Sequence, residues 1–293
     1  MHSQQAAGEM SYRGSLRALY GTISHGRQRV LLDLLGVVQR VLEPLPMRGK
    51  GRIAEQLLRR TKTEALTCHP LRGLKVQLRR SQRIEQLMWA GVYEREVVTF
   101  LKRTIRPSMT VIDVGANIGY LSAIAAQLVG VGGEVHAFEP NPSCYACLVG
   151  NLRPFSYAHA HQMAISENEG KQRLHLSWNS SEDGWASVLE GTLLEGPARE
   201  HRTLEVTATS IDGFVSRSDI RRVDLIKIDI EGNELHALRG GRQTIDRYHP
   251  AIIAELNEAL LARDGVKPAD VVQFLTDQGY SVHHLDGDNI SAT

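Results

Sequence analysis

The chain has 293 residues, 42% of them hydrophobic and 23% charged, a balance that excludes wholesale disorder and supplies a core for one large α/β domain with an appendage, or for two domains. The net charge of +1 is uneven: residues 1–106 hold 20 Lys+Arg against 8 Asp+Glu, and the remainder holds 14 against 25. The uniform basicity of a nucleic-acid binder is therefore absent, and two regions with different tasks are expected.

The N-terminal region reads as helical. Val30, Leu31, Leu34, Leu35, Val38, Val41 and Leu42 recur at helical spacing until Pro44 and Pro46 interrupt them. Ile53, Leu57, Leu58 and Leu66 allow a second, shorter helix. This basic region, residues 1–72, is expected to act as a lid, a homodimer face or an amphipathic contact with an anionic membrane surface. Residues 73–293 are expected to form the second domain. There the strand Leu74–Leu78 comes first, and Gly91-Val92-Tyr93-Glu94 opens a helix ending near Arg106-Pro107. Strands then alternate with helices. Thr110–Val114 leads to a helix over Leu121–Leu128, and Gly133–Phe138 to a helix capped by Asn141 and running through Asn151. His161–Ser166 is a third strand. Lys171–Trp178 and Leu204–Ile211 form an antiparallel pair around a polar loop. Val223–Ile230 precedes a helix through Arg247, and Ala251–Leu256 precedes a helix after Pro268. Strands at Tyr280–Leu285 and around Ile290 close the chain. Repeated βα units predict a mostly parallel sheet with helices on both faces.

The strongest chemical signal is Val111-Ile112-Asp113-Val114-Gly115-Ala116-Asn117-Ile118-Gly119-Tyr120. A strand runs through a glycine turn into a helix, so backbone N–H groups face a ligand crevice at the carboxyl end of the sheet. About 20 residues further on, Glu139 stands at the tip of the second strand, where such folds hold ribose hydroxyls. The spacing is not the G-x-G-x-x-G of a pyrophosphate cradle. An acid beside the loop suits the ammonium and sulfonium of S-adenosylmethionine, and Asp113 therefore points to that cofactor. The second signal is Leu225-Ile226-Lys227-Ile228-Asp229-Ile230-Glu231-Gly232-Asn233-Glu234. By strand period Asp229 and Glu231 share a face, and two acids at one strand tip repel, so one is a candidate base. A capping carboxylate paired with Lys227 or Arg239 is the structural alternative. Glu255 stands near the end of the next strand and joins the same cluster.

These pieces together resemble the FkbM family of S-adenosylmethionine-dependent methyltransferases. The matching segments come in order: Gly91–Glu94, Ile112–Gly119, Phe138–Pro142, Ala164–Ser166, Thr209–Asp212, Ile226–Gly232 and Ile253–Glu255. The resemblance implies the class I methyltransferase sheet, Rossmann-like and parallel except for one reversed strand near the carboxyl terminus. It also implies O-methylation of a small molecule, a sugar or a natural-product or glycan hydroxyl. Carried onto this sequence, Asp113, Gly115, Asn117 and Gly119 face the methionine part of the cofactor, Glu139 holds the ribose, and the stretch at Met163 and Ala164 contacts the adenine. Tyr93 and Glu94 close the pocket from the N-terminal side, and Asp229 lies near the sulfonium and the acceptor.

The expected reaction is direct displacement, with Asp229 or Glu231 as the base for the acceptor hydroxyl. A divalent ion such as Mg²⁺ is an open addition. Its ligands would be Asp229, Glu231 and Glu255, because the sequence offers no pair of spaced histidines. The competing readings are a nicotinamide oxidoreductase, which lacks its glycine fingerprint, and a nucleic-acid or protein methyltransferase using the basic N-terminal region. A third is a scaffold that kept the fold without the chemistry. No nucleic-acid partner is expected. No stretch reaches the ~18 uncharged apolar residues of a membrane span, and the first ten residues carry no leader pattern. Three cysteines, Cys68, Cys144 and Cys147, are too few for a disulfide framework, so a reducing cytoplasm is the expected setting, with membrane association left to the N-terminal helices. Cys144 and Cys147 read as core thiols. Trp178 and Trp185 flank the polar loop 179–184, which could cover an acceptor together with Arg199, His201 and Arg202.

Overall fold

The computed structural model describes residues 37–39, 49–59, 61, 64–178, 186–187 and 200–293. It divides into two compact units, Met1–Tyr93 and Glu94–Thr293. The division falls later than the expected boundary at residue 72, because the strand Leu74–Leu78 does not join the large sheet. In the first unit, α1 (Lys50–Arg59) precedes an antiparallel pair, β1 (Ala65–Cys68) and β2 (Val76–Arg79), and then α2 (Arg83–Trp89). Leu66, expected on the short helix, lies in β1. Leu66 and Cys68 are buried and alternate with less buried neighbours, a two-residue period that suits a strand paired to Val76–Arg79. Glu85 ties the pair to α2 through Arg79, with Arg79 Nη2 2.6 Å from its Oε1. The lid, dimer-face and membrane readings concern residues 1–72, of which 37–39, 49–59, 61 and 64–72 are described.

The second unit is built on seven strands: β3 (Thr110–Val114), β4 (Glu134–Phe138), β5 (Ala158–His161), β10 (Leu225–Ile228), β11 (Ala251–Glu255), β12 (Val282–Asp286) and β13 (Asn289–Ala292). Their order across the sheet is β12-β13-β11-β10-β3-β4-β5, with β11, β10, β3, β4 and β5 paired in parallel and β13 antiparallel to both β11 and β12. One reversed strand near the carboxyl terminus is what the resemblance implied, and this is the class I methyltransferase order. All five residues of β3 are buried, as a central parallel strand requires.

One face of the sheet, carrying Ile112, Val114, Phe138, Ile226, Ile228, Ile252 and Ala254, packs on α6 (Ile211–Arg217), α7 (Glu234–Arg239), α8 (Arg242–Tyr248) and α9 (Pro268–Asp277). The helices α4 (Tyr120–Val129) and α5 (Pro142–Leu152) contact β3, β4 and β5, and α3 (Arg95–Thr104) contacts α4. Asn141 caps α5 by accepting from Ser143 N at 3.0 Å, with Pro142 in the first turn.

Two expected elements divide. The strand His161–Ser166 breaks where Met163 N donates to His161 O at 3.0 Å. β5 ends there, and β6 (Ala164–Ile165) enters a second sheet of order β6-β9-β7-β8, with β7 (Gly170–Trp178), β8 (Ala186–Ser187) and β9 (Glu200–Thr209). β7 and β9 are the expected antiparallel pair. The helix expected to run through Arg247 breaks into α7 and α8 at Gly240-Gly241. A Cβ on Gly240 would lie 2.3 Å from Ser166 O, so only glycine lets these backbones meet. The carboxylate of Asp212 then accepts from Gln243 N and Thr244 N at 3.0 and 2.8 Å and starts α8.

Candidate active site at the carboxyl ends of the strands

The parallel registers set the site. Asp113 pairs with Lys227 and with Ala137. Val114, Phe138, Ile228 and Ala254 are the next partners along. One step further, Glu139, Gly115, Asp229 and Glu255 stand side by side across four strands. They lie on the same face as Asp113 and Lys227 because side chains alternate along a strand. Asp229 N donates to Val114 O at 3.0 Å, so the ladder continues into this row.

Gly115 is what lets the row close. Its φ is +79°, and a Cβ there would sit 1.8 Å from the Asp229 carbonyl oxygen. Gly119, at φ +83°, has Leu148 Cδ1 2.7 Å from where a Cβ would be. A side chain at either glycine would collide with another part of the protein. The loop's donors are also spent internally. Gly115 N and Ala116 N donate to Phe138 O at 3.0 and 2.9 Å, and Asn117 N donates to Glu139 Oε2 at 2.8 Å. A pyrophosphate would need those N–H groups. The arrangement fits a cofactor without a phosphate.

Glu139 is 7% exposed and also accepts from Asn141 N, through Oε1, at 2.8 Å. Burial pushes its pKa up to about 7, against the pull of these two N–H groups and of Lys227. Each oxygen has a lone pair left for a hydroxyl.

Lys227, which the sequence offers with Arg239 only as an ion-pair partner for a strand-end carboxylate, holds the centre of the site. It is 6% exposed. Its Nζ donates to Gly115 O at 2.8 Å and stands 3.3 Å from Asp113 Oδ1 and 3.5 Å from Asp229 Oδ2. Burial opposes its charge, but the carboxylates of Asp113, Asp229 and Glu94 outweigh burial and raise its pKa. The charge of Asp113, expected to attract the cofactor's cations, is thus matched inside the protein. Its other oxygen accepts from Ser122 Oγ at 2.5 Å. A lysine in the middle of an apolar strand was the available signal, since a buried ammonium needs a partner on an adjacent strand.

Of the two carboxylates on Lys227, the Asp113 side chain is 3% exposed and the Asp229 side chain 20%, so Asp229 is the one a ligand can reach. Glu231 does not share its strand face. β10 ends at Ile228, and Glu231 has φ +57°, followed by Gly232 at +106°. Burial, then the charges of Asp229 and Glu234, push the Glu231 pKa up to about 8. Glu255 is pushed up to about 10, first by the charge of Asp229, then by burial and by a hydrogen bond to Asp229. Glu94 heads α3 in a left-handed conformation, φ +40°, and its charge acts on Lys227 and Glu255. Tyr93 belongs to the first unit.

Among the described residues no group of three His, Cys, Asp or Glu side chains is placed to hold a metal ion, so Asp229, Glu231 and Glu255 do not form the ligand set considered for Mg²⁺. Ala164, expected beside the adenine, is 4% exposed and packs with Leu174, Val206 and Ala208 in the small core of the second sheet. Cys144 and Cys147 are buried thiols of α5, in no disulfide. The loop 179–185 and Arg199 lie outside the described residues, and for His201 and Arg202 only the backbone, in β9, is described.

A family profile described as the methyltransferase FkbM domain matches residues 113–282. The chain belongs to the FkbM methyltransferase family. It is 25% identical over 161 residues to the 2-O-methyltransferase NoeI of Sinorhizobium fredii, covering 52% of this chain and 64% of NoeI, so the match spans just under two thirds of that relative. It is 27% identical over 206 residues to the 31-O-demethyl-FK506 methyltransferase FkbM of Streptomyces tacrolimicus, covering 61% of this chain and 75% of the relative. The hexuronic acid methyltransferase AglP of Haloferax volcanii is 24% identical over 191 residues, covering 63% of this chain and 68% of AglP. Among the described residues no helix is long and apolar enough to cross a membrane.

Proposed function

We propose that the chain transfers a methyl group from S-adenosylmethionine to a hydroxyl of a small molecule, a sugar or a glycan or natural-product hydroxyl. The observation that carries this reading is the row Glu139–Gly115–Asp229–Glu255 behind a loop whose first N–H groups are already satisfied. Family membership supports it, as do relatives named for 2-O-methylation and for a hexuronic acid.

In this reading Glu139 accepts hydrogen bonds from the ribose hydroxyls, and the loop 115–119 and Glu94 line the methionine end. S-adenosylmethionine supplies, when bound, an electrophilic methyl carbon on a sulfonium. Asp229 is the base. Its side chain is 20% exposed, and its Oδ2 is braced by Lys227 at 3.5 Å. The acceptor oxygen would take the methyl carbon as its bond to sulfur breaks and the electron pair leaves on the neutral thioether, and the hydroxyl proton would pass to an Asp229 oxygen. Burial and the charge of Asp229 raise the pKa of both Glu231 and Glu255, so each favours its protonated form more than an ordinary carboxyl does. Positioning does the rest, because an unaided alkyl hydroxyl is a poor nucleophile.

The test is transfer of labelled methyl from S-adenosylmethionine to a panel of hexuronic acids, oligosaccharides and polyketide alcohols. Asp229→Asn should lower turnover by about 100-fold, within the range for a lost general base, with cofactor affinity unchanged within threefold. Full turnover in Asp229→Asn would overturn the assignment.

A further inference from the structure

The turn that carries Asp229 leaves the sheet abruptly. Asp229 N is the last amide in the ladder, and the next residues pass through two consecutive positive φ angles, Glu231 at +57° and Gly232 at +106°. A turn of this kind strands its own amides, and buried amides need acceptors. The acceptor is Glu234. Its Oε1 takes hydrogen bonds from both Ile230 N and Gly232 N at 3.1 Å, and the residue is 2% exposed. Its Oε2 is buried without a hydrogen-bond partner, and its own backbone N–H joins the two turn amides in stabilising the carboxylate. The next-door residue anchors the same turn: Asn233 Nδ2 donates to Ile165 O at 3.3 Å. The helix that starts at Glu234 packs closely at its far end, where Gly240 meets Ser166 O.

We infer that Glu234 is a positioning residue for the carboxylates of the site: by clamping Ile230 N and Gly232 N on one oxygen it fixes where Asp229 and Glu231 point. The inference rests on the methyl-transfer reading for its functional consequence, but the clamp itself does not. A base must be held to well within an ångström to act on a bound hydroxyl. Glu234 touches neither acceptor nor cofactor in this scheme. Each amide left without its acceptor would cost free energy in the buried turn, and the strained φ angles would relax. A glutamine keeps an acceptor oxygen at the same reach, an aspartate keeps the charge and shortens the reach by one methylene, and an alanine removes both.

The test is amide hydrogen exchange by ¹⁵N NMR on the full chain, read at Ile230 and Gly232, with turnover measured alongside. Glu234→Ala should speed exchange at both amides by at least tenfold and lower turnover by at least tenfold, with the KM for cofactor within threefold. Glu234→Gln should restore most of both losses. Where the alanine variant does not fold, Glu234→Asp takes its place and should show faster exchange at one or both amides. Unchanged exchange in Glu234→Ala, or in Glu234→Asp where that variant stands in, would overturn the clamp. So would exchange in Glu234→Gln as fast as in the disrupted variant. Failure of the unaltered protein to transfer methyl to any acceptor would remove the methyl-transfer reading while leaving the exchange result to decide the clamp.

Discussion

Gly115→Ala tests the geometry of the site at its tightest point. The new methyl would start 1.8 Å from the Asp229 carbonyl oxygen and 2.9 Å from both the Asp229 carbonyl carbon and Ile230 Cγ2. Ordinary contact needs the Asp229 backbone to retreat by more than 1 Å, and Asp229 N is bonded to Val114 O at 3.0 Å, so the retreat breaks the ladder. The left-handed backbone adds ~1 kcal/mol for any L-residue and overpacking adds ~1–3 kcal/mol, about 3 kcal/mol in all. For a unit of this size that lowers Tm by about 6–12 °C. A displacement of ~1 Å at the reacting geometry lowers turnover by ~100-fold. Gly130→Ala is the control: Gly130 also has positive φ, +66°, but nothing lies within 4 Å of its absent Cβ. It should lose only the backbone share, ~1 kcal/mol and about 2–4 °C, and keep its turnover. Calorimetric melting and the methyl-transfer assay read both effects. A Gly115→Ala protein that melts no lower than Gly130→Ala would refute the reasoning.

Two further predictions follow from buried charge. Lys227→Met leaves Asp113 and Asp229 without their cation and Gly115 O without its donor. It should cost about 3–5 kcal/mol of stability in urea unfolding, and a loss under 1 kcal/mol would show that the ammonium is not the keystone of the row. His161 lies at the other end of the sheet, stacked on Phe138 and 3.3 Å from His136 Nδ1 through Nε2. Burial first, and then His136 and His159, push its pKa down to about 4. The unfolded chain therefore binds its proton at higher pH than the folded one, so the stability this residue contributes is full above pH ~6.5 and is lost as pH falls toward about 4. His161→Phe, which keeps a ring against Phe138 and Phe214, should flatten the stability profile between those limits; a variant whose profile parallels the unaltered protein's would contradict it.

Much of the fold was legible because the signals were local. Apolar strands such as Thr110–Val114, the capping Asn141 and the alternation of β and α segments led to the mostly parallel sheet; its reversed strand came only from the family resemblance. The misplacements came from tertiary contacts. Leu66 has helical spacing from Ile53, Leu57 and Leu58, but pairing with Leu78 takes it into a strand. Nothing local in Gly240-Gly241 announces that Ser166 O passes 2.3 Å from where a Cβ would be. At the site, residue types were readable and their partners were not. Glu139 and Asp229 were picked from strand ends, whereas the neutralisation of Asp113 needed the register that sets Lys227 beside it. The role of Gly119 needed the position of Leu148. Ala164 was assigned as the end of a strand that in fact stops at His161.

The central claim is that this row holds S-adenosylmethionine, and titration calorimetry of that cofactor tests it most directly, on the unaltered protein and on Glu139→Ala. Micromolar binding that Glu139→Ala loses is expected, since the carboxylate both orders Asn117 and offers its lone pairs to the ribose. Binding that is equally tight in the two proteins, or absent from both, would contradict it.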